Sequence, residues 1–460
     1  MDLAGRRTRE PALSYRAPAL AGPARAEVLF ALAAFAVLCA AVLSFAPHLV
    51  EPDDVAYRAS IVATTDGHLL TLSTAQVHAL AAQLSGPGPG PGIVQWVQLA
   101  DGRWISEKDP GYPFLAAPFQ ALGVIRLAPL FYGALGCLGL FFGARRWLGR
   151  FGGVAAVGLF CSSGAALLFA WRDYMPTFTE ASLIAAGIGA LLWAVLAAEA
   201  RPARRTWAGL AGFVALETAV FVRYTDIVVL GCAVLAVAAA RRAARLPTAA
   251  LAWWLGSAAA FGVGVAVFND LVYGGPLRSG YQAGEITFSL SAIMPNLRYM
   301  PAHLIEAMPM LVAGLAALVW IAVRWLRLRQ AGDAAATGAR RDAAVGLALA
   351  ASWFSVWGLY AAYTWTAAPF LSTLQAVRFY VPAIGAIALL GAWLVARVPR
   401  RAPLPAVASV VLVAAMFGLG AWSYQSMRFN PFVGAHILHG PAPRLGPGGP
   451  PGLGGKPPPL

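Results

Sequence analysis

Apolar stretches long enough, or nearly long enough, to cross a bilayer recur at 28–48, 127–144, 152–170, 180–198, 207–222, 224–240, 249–271, 303–323, 343–364, 379–396 and 404–424. A helix rising about 1.5 Å per residue needs some twenty apolar residues to cross a hydrocarbon core of about 30 Å. Inside that core each backbone polar group must be bonded within the protein. The runs therefore predict an all-α polytopic membrane protein with about eleven transmembrane helices. Of the 460 residues, 59% are hydrophobic and 12% charged, more apolar surface than a soluble chain of this length can bury.

Charge orients the chain. Basic clusters precede the first run (Arg6 to Arg25) and recur at Arg145/Arg146/Arg150, Arg201/Arg204/Arg205, Arg241/Arg242/Arg245, Arg324 to Arg341 and Arg397/Arg400/Arg401. With eleven spans and the N-terminus inside, all of them fall on the inner side and the C-terminus lies outside. The inner segments then hold 22 of the 34 Lys and Arg but only 6 of the 20 Asp and Glu. That is the positive-inside pattern, and it assigns the net charge of +14 to topology rather than to nucleic acid. Cys39, Cys137, Cys161 and Cys232 all sit in apolar runs and read as packing residues. The first run is long for a signal peptide and "LSFAPHLV" is a poor cleavage site, so it is expected to stay as a helix. The organisation is thus a basic cytoplasmic segment (1–27), a membrane body (28–424) and a tail (425–460). In that tail 15 of the 21 residues from Gly440 are Gly or Pro, a composition expected to be disordered.

The inner loops are short and carry no phosphate-binding glycine motif. The outer side holds loops at 51–112 and 272–302, turns at 171–179 and 365–378, and all six histidines. Chemistry is therefore expected at the outer face. Two stretches resist a simple span. Residues 113–125 are apolar but broken by prolines and too short, and predict a re-entrant or interfacial helix. The stretch 207–240 is interrupted by "RYTD", which predicts a hairpin with Arg223 and Asp226 near the outer interface.

Four outer motifs carry the site: "EPDDVAYRAS" at 51–60, "GRWISEKDPGYPFLAAPF" at 102–119, "WRDYMPTFTEA" at 171–181 and "NDLVYGGPLRSGY" at 269–281. A fifth, "VRFYVPAIGAIALL", starts at 377. In order and spacing they resemble the GT-C superfamily of integral-membrane glycosyltransferases, over most of 28–397. The acids here read Asp-Asp where Asp-Glu is common, and the first loop carries an extra Gly/Pro segment. The resemblance implies transfer of a sugar from a polyprenyl-phosphate donor to a lipid, glycan or protein acceptor at the outer face of the plasma membrane. It also implies that a first-loop acid, here Asp53 or Asp54, acts as base or metal organiser, and that Asp173 supplies a second acid.

The residues agree with that chemistry. Displacement at an anomeric carbon needs a carboxylate to take the acceptor's proton, and the leaving phosphate needs cations. Lys108, Arg126, Arg172, Arg223, Arg278, Arg298 and Arg378 are the candidates, with Arg126, Arg223 and Arg378 at helix ends. Tyr112 and Tyr281 are candidates to stack on a sugar, although interfacial belts use Tyr routinely. Glu180 begins a span, where the helix dipole also favours an acid. Glu217 lies within a span, where a carboxylate is costly and needs a role or a partner. Asp54 is alternatively expected to cap the helix that "VAYRASIVA" begins. The sequence establishes no cofactor, and Mg²⁺ or Mn²⁺ held by Asp53 and Asp54 is a candidate. His68 and His78 lack any metal-ligand spacing. Two other readings stay open: a non-catalytic envelope protein of the same fold, and a transporter or lipid flippase.

Overall fold

The computed structural model describes residues 23–44, 52–85, 93, 95–99, 101–281, 286–329, 334–367, 374–397 and 404–428. Glu51, His48, the rest of the "SGPGPGPG" segment and the tail from residue 429 lie outside them. The described chain runs α1 (Arg25–Leu43), α2 (Pro52–Thr65), β1 (Thr71–Leu72), α3 (Thr74–Ser85), β2 (Trp96–Gln98), β3 (Trp104–Ser106), α4 (Gly111–Ala121) and α5 (Leu127–Leu148). It continues α6 (Arg150–Ser162), α7 (Gly164–Trp171), α8 (Thr177–Leu196), α9 (Pro202–Val222), α10 (Ile227–Ala240) and α11 (Thr248–Tyr273). It closes with α12 (Ile293–Ala307), α13 (Met310–Leu328), α14 (Ala334–Ala361), α15 (Leu374–Val377), α16 (Ile384–Val395) and α17 (Leu404–Arg428).

Among the described residues, seven helices are long and apolar enough to cross a membrane, namely α1, α5, α8, α9, α11, α13 and α14. An eighth span arises if α6 and α7, bent by 59°, are taken as one. The bend has a local cause. Ser163 is extended between the two helices, and its Oγ accepts the Ala166 N–H at 3.0 Å, ending one helix and capping the next. Shorter apolar helices at Tyr224–Ala240, Val381–Val395 and Val410–Trp422 occupy the other expected runs.

The short apolar stretch after "PGYP" forms α4, packed on α2 and α9. The 207–240 stretch breaks at Arg223, whose extended backbone leads into a 3-10 turn over Tyr224–Asp226. One expectation is corrected: the chain is not wholly α-helical. The segment between the first two apolar runs folds into a small unit of α2, α3 and a three-stranded antiparallel sheet, with β3 between β1 and β2. Ala59, Val62, Leu72, Val77, Leu80 and Trp96 give it a core of its own.

The body is organised around α8, the most buried of the seven long helices, and α11 is the least buried. Helix α8 meets α5 along small residues. A Cβ on Gly189 would overlap the Gly139 carbonyl, and one on Gly139 would stand 2.6 Å from the Ala186 Cα. Small residues let helix backbones approach where apolar burial gives no drive in lipid. Helix α5 runs from Arg126 at the end bearing the acidic motifs to Arg145 at the other. There Arg145 and Arg150 pair with Glu27 at 2.8 and 3.3 Å. At the same end Asp342 accepts from Trp147 at 3.0 Å and pairs with Arg324 and Arg397. Arg145, Arg150, Arg324 and Arg397, from three of the basic clusters, are thus each tied to an acid at this end of the bundle.

The α5–α8 contact yields a test. Gly139→Leu should destabilise the protein by about 1–3 kcal/mol or more, through overpacking. Gly231→Leu, where a Cβ meets nothing within 4 Å, should leave stability unchanged. Thermal unfolding of the two variants in detergent compares them directly.

Candidate active site

Asp53 and Asp54 lie in the first turn of α2, where carboxylates suit the helix dipole. The helix begins before both, so Asp54 does not cap a later one. Neighbouring helical side chains point about 100° apart, and the two acids accordingly meet different partners. Asp53 gathers three donors. Its Oδ1 accepts from the Gln95 amide at 2.7 Å and pairs with Lys108 Nζ at 3.0 Å, while Oδ2 meets Arg378 Nη1 at 2.8 Å. Asp54 Oδ2 pairs with Arg172 Nη2 at 2.6 Å. All five charged residues are buried.

Burial pushes the Asp53 carboxyl up. Arg378 and Lys108, helped by the Gln95 amide, outweigh it and hold the group well below the usual carboxylate range. Asp53 is therefore an ionised, fully engaged anion. Asp173, in the turn between α7 and α8, is different. Its carboxyl oxygens are buried without hydrogen-bond partners, and Arg126 Nε is 3.9 Å from Oδ2. Burial, opposed by Arg126 and reinforced by Asp54, pushes it up to about 7. Asp109 behaves alike. Burial, opposed by Arg223 and Lys108 and reinforced by Glu180, pushes it up to about 7, and it accepts the Tyr224 N–H.

The cations are held on several sides. Lys108 Nζ stands 5.4 Å from the Tyr281 ring centre. Arg378 lies over Trp365 at 5.4 Å and over Phe379 at 4.8 Å. Arg223 pairs with Glu180 at 3.4 Å and also lies over Phe379, at 5.4 Å. The Lys108 backbone N–H donates to Ser106 Oγ at 3.1 Å, and that hydroxyl meets Ser60 Oγ of α2 at 2.9 Å. Two glycines clamp this segment. A Cβ on Gly111 would overlap the Phe221 backbone of α9, and one on Gly280 would overlap the Ser106 carbonyl. The glycines of "PGYP" and "RSGY" thus let α9 and the second outer loop close on Lys108 from two sides.

The structure therefore brings together Asp53, Lys108, Arg378 and Tyr281, with Asp54–Arg172, Asp173–Arg126 and Glu180–Arg223 as further pairs. One expected substrate contact is corrected. Tyr112 is wholly buried, its hydroxyl donating to the Asp173 carbonyl and its ring set edge-on to Tyr57 at 6.1 Å, so it offers no face to a sugar. Arg278 is exposed, folded over Gly275 in its own loop. Glu217 has an ordinary partner, accepting from Ser257 at 2.8 Å.

The donor set does not fit the divalent ion considered for Asp53 and Asp54. Both Asp53 oxygens face cations, Asp54 faces Arg172, and the described residues contain no group of three His, Cys, Asp or Glu able to hold a metal. His68 is engaged with Gln76 at 3.2 Å.

Sequence reasoning missed Gln95, Asp109, Trp365 and Phe379. Gln95 lies in no motif. It adopts a left-handed backbone (φ 59), and its carbonyl accepts the Glu107 N–H at 3.0 Å. Asp109 and Phe379 stand within "KDPGYP" and "RFYVP", where an acid and an aromatic beside a chosen cation were the available signal.

A bundle of apolar helices with a small folded unit over paired acids and bases defines a polytopic membrane architecture. A solved oligosaccharyltransferase shares this arrangement. The chain superposes on the Archaeoglobus fulgidus oligosaccharyltransferase at a TM-score of 0.52 and 13% identity, over 86% of its own length and 56% of that protein's. It also resembles ArnT from Cupriavidus metallidurans, at a TM-score of 0.48 and 15% identity, over 88% of this chain and 72% of that one. At such identities the likeness is one of fold. No family model and no curated protein matches the chain.

Two outcomes follow. An acid whose pKa is raised on folding binds a proton that the unfolded chain has released, so it contributes stability at low pH that is lost as pH rises to its folded value. Asp109 and Asp173, at about 7, should make the protein melt lower at pH 8 than at pH 5. Asp173→Asn should reduce that difference in thermal scans. Gly280→Ala, whose Cβ would overlap the Ser106 carbonyl, should displace the segment that carries Lys108 and lower the unfolding temperature in detergent, read by thermal scans.

Proposed function

We propose that this chain is a membrane glycosyltransferase that moves a sugar from a polyprenyl-phosphate donor to a lipid, glycan or protein acceptor at the outer face of the plasma membrane. The observation that carries the reading is the buried Asp53 carboxylate with Lys108 and Arg378 on its two oxygens. In this arrangement Asp53 is too well paired to act as a base. The donor's phosphate is the natural competitor for the same two cations. As it draws Lys108 and Arg378 towards itself, Asp53 loses the partners that hold its pKa down and gains proton affinity.

The acceptor hydroxyl then gives its proton to Asp53, and its oxygen forms a bond to the anomeric carbon. The bond from that carbon to the phosphate oxygen breaks, and the electron pair leaves on the lipid phosphate, where Lys108 and Arg378 meet the added charge. Asp54 and Arg172 fix the first turn of α2 so that Asp53 faces the acceptor.

Asp53→Asn should reduce sugar transfer from a polyprenyl-phosphate donor by about 10²-fold or more, with insertion and thermal stability retained. The same variant frees two cations, so it should bind undecaprenyl phosphate, the lipid bound in a solved structure of C. metallidurans ArnT, several-fold more tightly than wild type. Full transfer by both Asp53→Asn and Asp54→Asn would refute the reading. Flux of an unaltered lipid-linked sugar across proteoliposomes would favour a flippase instead.

A further inference from the structure

Arg223 and Arg378 reach the site from separate elements, the α9–α10 break and the turn before α16. Their acids are different too: Glu180 for Arg223 at 3.4 Å, Asp53 for Arg378 at 2.8 Å. What they share is one ring. The two guanidinium carbons lie 5.4 and 4.8 Å from the centre of Phe379. Like charges so placed repel, and the electron-rich face of an aromatic ring is one of the few groups that attracts a cation without neutralising it. A carboxylate in that place would cancel the charge a phosphate needs; an aliphatic side chain would leave the repulsion unopposed.

The ring is itself fixed. Tyr360, Tyr363 and Trp365 surround Phe379 with ring centres 4.9, 5.3 and 5.9 Å away. Tyr360 in turn meets Thr225 through their hydroxyls at 2.7 Å, which ties the end of α14 to the break that carries Arg223.

We infer that Phe379 is a positioning residue: its ring holds Arg223 and Arg378 as a two-guanidinium clamp at the spacing that receives the donor's phosphate. The inference rests on the proposed function. It differs from ordinary core packing in one respect. A packing residue is judged by its shape, whereas a cation platform is judged by the charge on its face.

Fluorination separates the two, because it drains the ring's face while changing its volume little. Mono-, di- and trifluorophenylalanine introduced at position 379 should weaken undecaprenyl phosphate binding in nanodiscs stepwise, by roughly tenfold across the series. Phe379→Tyr should stay near wild type and Phe379→Leu should fall below the fluorinated forms. Affinity that is flat across the fluorinated series overturns the inference, whether or not Phe379→Leu folds. If the wild type binds undecaprenyl phosphate no better than undecaprenol, the donor reading fails and this inference with it. Clear discrimination between those two lipids together with a flat series removes the Phe379 role alone.

Discussion

An unpaired carboxylate cannot be kept buried and ionised cheaply, and much of this end of the structure is the consequence of keeping Asp53 in that state. Three donors have to reach it, and they come from parts of the chain far apart in sequence: Gln95 and Lys108 from the outer unit, Arg378 from the start of the tenth apolar run. Each then needs its own support. Gln95 takes a left-handed backbone that few non-glycine residues adopt. Lys108 is pinned through Ser106 and Ser60 and closed in by Gly111 and Gly280. Arg378 is sandwiched between Trp365 and Phe379. The small sheet, the α4 approach and the second outer loop are thus parts of one arrangement around a single anion.

The fold was legible where its cause is local. A bilayer imposes length and polarity on each crossing, so the apolar runs mark their helices, and the paired basic ends near Glu27 and Asp342 match the charge asymmetry. What stayed hidden depends on non-local closure. The bend at Ser163 follows from a single side chain capping α7 inside an unbroken apolar run. The sheet of the outer unit uses strands of two or three residues, too short for alternation to show. The break in 207–240 was visible because "RYTD" places charge where lipid forbids it.

The site divides in the same way. Acids and cations could be nominated from their placement between apolar runs, and Asp53, Lys108 and Arg378 do converge. Tyr112 could not be sorted from Tyr281 by sequence, because the full burial of the Tyr112 ring is set by how α4 seats against α2, while Tyr281 comes to Lys108 from a separate loop. Gln95 is the clearest loss. An amide outside any motif acquires meaning only when β2 and β3 pair and bring it to Asp53.

The pairing also sets the charge that the site presents. Asp54 is balanced by Arg172, and Glu180 by Arg223. Asp109 and Asp173, pushed up to about 7 by burial, are partly neutral at physiological pH. Asp53 alone faces two cations, Lys108 and Arg378. Asp53 and its two cations therefore carry one positive charge between them, and Arg126, whose partner Asp173 is partly neutral, adds a fraction of another. In a buried setting that surplus is poorly screened, and it is relieved only when a singly charged anion arrives. Under the proposed function, the group that relieves it is the phosphodiester of the donor, and its arrival is the event that loosens the hold on Asp53. Binding and activation of the base are then one electrostatic exchange, carried out by the same two side chains.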